Sequence, residues 1–160
     1  MAVDFKSLGK YEQGALVAGA LSIIVSFFSA YIRVSFDGGD AMPGLDTSAG
    51  TSAWTSYATL GVLLVVVATT IVALKAFSKE SLPPGVPWSL AALAAAGLGT
   101  LLIILRAFTV GGDGPGFNVG PGWSAWLLFL TTIALTAFTA LSFRESGEKL
   151  PDLGKGKPAV

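Results

Sequence analysis

The sequence predicts an all-α membrane protein: a four-helix transmembrane bundle made of two tandem helical hairpins related by a parallel internal repeat. Three observations predict it. Four apolar runs of 23, 24, 21 and 21 residues cover 89 of the 160 positions. Hydrophobic residues make up 52% of the chain and charged residues 12%, about half the charged share of a soluble domain. The mean hydropathy is accordingly +0.70. Finally, the two halves share blocks of residues at nearly one spacing. The length fits a single domain.

Span one runs over Gly14–Phe36. Lys6 and Lys10 precede it in the manner of a signal peptide. But 23 residues exceed an ordinary signal h-region, and no small-x-small site closes the run, so it reads as an uncleaved span. Spans two, three and four are Trp54–Phe77, Trp88–Phe108 and Trp123–Phe143. At a rise of about 1.5 Å per residue, 21 residues reach about 31 Å, the depth of a bilayer's hydrocarbon core. Strands of a membrane barrel are shorter and alternate in polarity. In lipid, only a helix satisfies its own backbone over such a run.

The connections are rich in turn formers. Loop Asp37–Ala53 carries Gly38-Gly39 and Pro43-Gly44; loop Thr109–Gly122 carries Gly111-Gly112, Gly114-Pro115-Gly116 and Gly120-Pro121-Gly122. Both are expected to be irregular, without strand or helix periodicity. Pro83-Pro84-Gly85-Val86-Pro87 separates spans two and three as a stiff stop and restart. Residues 1–146 form the membrane domain. Residues 147–160, charged and with Gly and Pro, form a flexible cytoplasmic tail.

Basic residues set the orientation. Lys6, Lys10, Lys75, Lys79, Arg144, Lys149, Lys155 and Lys157, eight of the ten, fall on one side, and neither loop on the other side holds a Lys or Arg. Both termini are therefore expected in the cytoplasm. Trp54, Trp123 and Trp126 mark the outer boundary and Trp88 an inner one.

The repeat pairs Arg33 and Gly38-Gly39-Asp40 with Arg106 and Gly111-Gly112-Asp113 at an offset of 73. Ser52-Ala53-Trp54 matches Ser124-Ala125-Trp126 at 72. Each unit runs in, out and back in, so its pseudo-twofold axis lies along the membrane normal. Transporter repeats are often inverted instead.

Candidate sites are few. Cys and His are both absent. That removes disulfides, thiolate chemistry and the commonest general base and metal ligand. Ten basic residues balance ten acidic ones, so no field draws nucleic acid. Gly111–Gly116 lacks the Lys-Ser/Thr of a phosphate loop. No acidic residue lies mid-span to couple transport to protons or sodium. The chain is thus expected to be no enzyme and to take no cofactor or metal. Arg33 and Arg106, the two charges inside the assigned spans, lie near the outer ends. They either snorkel to phosphates or face each other, with Asp40 and Asp113, as a lipid or partner contact. Ala91, Ala95 and Gly99 form a row of small residues where a second helix can approach, inside the bundle or from another subunit. The threonines of spans two and four either bond back to their own helices or line a wet path.

Ser26-Phe27-Phe28, Ala53-Trp54 and Gly122-Trp123-Ser124-Ala125-Trp126, following a short basic start, resemble small four-span membrane proteins of actinobacteria, largely of unknown function. The likeness covers roughly residues 8–145 and carries over no catalytic residue. It implies a bacterial cytoplasmic membrane and a cell-envelope setting. The functional expectation is lateral helix association: a scaffold, assembly factor or accessory subunit among membrane lipids, with another membrane protein or a homo-oligomer as partner. The alternatives are an oligomeric pore or small-solute channel, or a lipid-binding protein.

Overall fold

A computed structural model describes residues 8–36, 47–110 and 117–147. Asp40, Asp113 and the tail beyond Gly147 lie outside the described residues. The order of elements is α1 (Lys10–Ser26), β1 (Ile32–Phe36), β2 (Thr47–Thr51), α2 (Ala58–Phe77), a 3-10 turn (Lys79–Ser81), α3 (Trp88–Thr109), β3 (Phe117–Pro121) and α4 (Trp123–Ser146). Each helix packs against two others: α1 against α2 and α4, and α3 against α2 and α4. Helices α2, α3 and α4 are each long and apolar enough to cross a membrane.

Span one departs from the sequence expectation. Its helix stops at Ser26, ten residues before Phe36, and the rest turns and becomes a strand. Phe27 N–H donates to Ile24 O at 3.2 Å and Phe28 N–H to Val25 O at 3.1 Å, tightening the last turn. The chain then reads Ile-Arg-Val-Ser-Phe. Ile32 is buried and Arg33 exposed, Val34 half-buried and Ser35 exposed. That two-residue alternation suits a half-buried strand. With 17 residues, α1 rises about 25 Å.

The described parts of the loops Asp37–Ala53 and Thr109–Gly122 correct the reading of them as irregular. Strand β1 is the centre of a three-stranded antiparallel sheet in the order β2-β1-β3. Ile32 pairs with Thr51 on one side and Pro121 on the other, and Val34 with Ala49 and Val119. Pro121 lies on an edge strand, where its missing N–H costs no ladder bond.

The interior is filled along its length. Val62, Val65, Ile103, Leu128 and Leu135 are all at most 2% exposed, and Ala53, Ala58, Ala68 and Ala96 are fully buried. Helices α2 and α3 touch through glycine. A Cβ on Gly61 would lie 2.8 Å from Gly99 O, and one on Gly99 2.7 Å from Gly61 O. Backbone meets backbone there, so neither position has room for a side chain.

The threonines bond inward to their own helices. Thr69, Thr70, Thr132, Thr136 and Thr139 each donate to the carbonyl four residues earlier, at 2.7–2.9 Å. Thr100 also reaches Thr132 O at 3.1 Å and Thr136 Oγ1 at 3.0 Å, joining α3 to α4. Hydroxyls held this way are satisfied without water.

Candidate functional site

The sheet-covered end of the bundle holds the most constrained polar group. Tyr31, between α1 and β1, is 1% exposed. Its N–H donates to Thr51 O at 3.0 Å, and its carbonyl accepts from Gly122 N–H at 2.9 Å. Its hydroxyl donates to Ile103 O on α3. One residue thereby ties β2, the start of α4 and α3 to the end of α1. Burial pushes the Tyr31 phenol above its ordinary range. Nearby Arg106 pulls it down, and Tyr57 adds to the rise.

Arg106 is half-buried in the last turn of α3. Its guanidinium carbon lies 5.5 Å from the centre of the Tyr57 ring, within reach of a cation–π contact. The Tyr57 hydroxyl pairs with Thr109 Oγ1. Arg106 Nε is buried without a hydrogen-bond partner. Arg33 is placed differently. It is exposed on β1, with Gly50 and Gly120 as cross-strand partners.

The pairing expected of the two arginines therefore meets an asymmetry. Residues equivalent at offset 73 fall on a strand in one half and a helix in the other. At offset 72, Ala53 and Ala125 are both fully buried, but Ala53 precedes α2 whereas Ala125 lies inside α4. The Asp40 and Asp113 expected above the arginines lie outside the described residues.

Of the expected association row, Gly99 is turned inward against α2, with Leu64 Cβ and Val65 Cγ2 also 3.1–3.2 Å from a Cβ there. Ala91 and Ala95 remain half-buried, beside exposed Ala94 and Leu98. The row is split between the interior and the lateral surface.

Aromatic side chains cluster at the same sheet-side end. Phe27 stacks on Trp54 at 5.3 Å, and Phe28 meets Trp123 at 5.5 Å. Phe108, Trp126 and Phe129 form a third group at 5.6–6.3 Å. Trp54 Nε1 donates to Ser26 Oγ at 3.1 Å. Rings with one polar tip fit a membrane interface.

A second polar locus lies at the opposite end. Lys75 Nζ on α2 donates to Ser89 Oγ on α3. Around them a crevice of about 10 Å³, the room one water needs, is lined also by Glu12, Thr139 and Ser142. All four helices contribute. From the sequence Lys75 reads as a flanking charge, because nothing local shows that it meets Ser89, fourteen residues on. The Pro-rich break between them was the available signal, since it folds α3 back along α2.

The second locus sets the Ser89 hydroxyl beside the Lys75 amine, with Glu12 lining the same crevice. Among the described residues no cluster of acidic side chains could hold a metal ion. What the arrangement can do is hold an anion near Arg106 or Arg33, or present apolar helix faces. No family model, curated protein or solved structure matches this chain.

Proposed function

We propose that the chain is a non-enzymatic integral membrane protein that acts by lateral helix association, as a scaffold, assembly factor or accessory subunit of a bacterial cell-envelope complex. One observation carries this reading. Val62, Val65, Ile103, Leu128 and Leu135 fill the bundle axis, which leaves the lateral faces and the outer sheet to do the work. A water path along such an axis has no room, so conduction would require several copies. On α3, exposed Ala94 and Leu98 with half-buried Ala91 and Ala95 offer a smooth face of the kind that lets helices approach.

In this reading all four helices span the bilayer, α1 being short but within the usual range. Lys10, Lys75 and Arg144 sit at the helix ends away from the sheet, which favours both termini in the cytoplasm. The repeat is read as a duplication whose symmetry was lost when β1 replaced the end of the first helix. A photo-crosslinker at Ala94, used in native membrane, tests the association. The expected product is one protein adduct of defined mass, absent when the crosslinker is at exposed Leu63 on α2. Lipid adducts alone at both positions would discard the reading.

A further inference from the structure

Helices α1 and α4 do not close along their outer surface. Between them lies an open groove of about 460 Å³, the size of a small-ligand site. Its walls are mainly apolar, Val17 and Leu21 of α1 and Leu130 and Ala134 of α4, with Gln13 and Thr131 as the polar lining besides Lys10. Val17, Leu21 and Leu130 are 50%, 46% and 66% exposed. Towards Lys10 the Phe138 ring forms its floor, lying so close over Gly14 that a Cβ there would sit 2.8 Å away. Lys10 closes that end with an exposed ammonium.

We propose that this groove holds one acyl chain of an anionic phospholipid, with the lipid phosphate at Lys10. The inference rests only on the chain's membrane location and not on lateral association with a protein. Three features select a lipid. From Lys10 to Leu21 the helix rises about 16 Å, close to one leaflet's half of the about 30 Å hydrocarbon core. The single cation lies at the end of the groove, at the level of a headgroup, and the apolar walls lie beyond it. A partner helix about 10 Å across would fill more than twice the groove's volume over the same length. It would therefore rest on the groove rather than in it. An ammonium beside a phosphate at the interface favours an anionic lipid over a zwitterionic one.

Native mass spectrometry of the full chain in detergent, with phosphatidylglycerol or phosphatidylcholine added at matched concentration, tests this. The wild-type chain is expected to retain one phosphatidylglycerol with about a five-fold preference over phosphatidylcholine. Lys10→Gln should bring that preference near unity while retaining a bound lipid. Ala134→Leu, which fills the groove, should lower retention of both lipids. Val17→Trp repeats that test at an exposed wall position if Ala134→Leu fails to fold. An unchanged preference in Lys10→Gln would overturn the proposal, as would wild-type retention in a folded groove-filling variant. So would a dimer, stable without lipid, that dissociates on filling the groove: the groove would then be a seam between two copies.

Discussion

The hydroxyl of Tyr31 donates to the main-chain carbonyl of Ile103, across 72 residues of sequence. The bond fastens the junction of α1 and β1 to the middle of α3's sheet-side half. Because Tyr31 also bonds Thr51 and Gly122 through its backbone, it orders the whole covered end. Tyr31→Phe should lower stability by about 1 kcal/mol, the usual net worth of one hydrogen bond. The pH dependence has a definite sign. Burial raises the folded phenol above its unfolded value, so its contribution is complete below about pH 10 and is lost as pH rises beyond that. Melting of the wild-type chain in detergent should fall across that window. Tyr31→Phe should fall less steeply; equal slopes would show that Tyr31 does not report the transition.

Gly61 and Gly99 make a second contact that tolerates no substitution. Gly99→Ala drives a methyl into Gly61 O, 2.7 Å from its ideal position. Overpacking of this kind costs about 1–3 kcal/mol. Thermal unfolding should show that loss, with the oligomeric state unchanged in native mass measurements. If the variant instead melted normally and lost a partner, Gly99 would belong to an external face.

The two arginines should behave independently. Arg33 is exposed on β1, and its replacement by Gln should change stability by no more than about 0.5 kcal/mol. Arg106→Gln removes a cation from the Tyr57 face, a contact worth about 0.5–2 kcal/mol. A double-mutant cycle should give a coupling near zero, within about 0.5 kcal/mol. A large coupling would mean that both share an anion after all.

The helices were legible because hydropathy sums over twenty residues. Trp88 and Trp123 even mark the first residues of α3 and α4. The end of the first helix was not. Ile32 and Val34 are as apolar as any span residue, so the run continues through the turn, and only the Ile-Arg-Val-Ser-Phe alternation betrays the strand. Its partners are harder still. Thr-Ser-Ala-Gly-Thr and Phe-Asn-Val-Gly-Pro carry little strand propensity, and pairing with β1 supplies their order. Of the candidate site, Arg106 was visible as a charge near a span's end. Its ring partner Tyr57 comes from another helix's start, a contact that no local spacing encodes. Small-residue rows were visible too, but the sequence cannot say which flank of a row faces inward. Gly99 settled inward because Gly61 lies opposite.

Orientation can be measured directly, since the chain has no cysteine of its own. The positive-inside argument predicts the sheet outside, because Lys10, Lys75 and Arg144 gather at the other end. Asn118 on β3 and Ser146 at the end of α4 are both exposed and lie at opposite ends of the bundle. Asn118→Cys should react with a membrane-impermeant thiol reagent in intact cells. Ser146→Cys should react only after the membrane is opened. Neither change touches the core, so each variant should fold. Labelling in the reverse order would put the sheet in the cytoplasm. Lys10 and the groove above it would then face the outer leaflet, and the phospholipid proposed there would have to be drawn from that side.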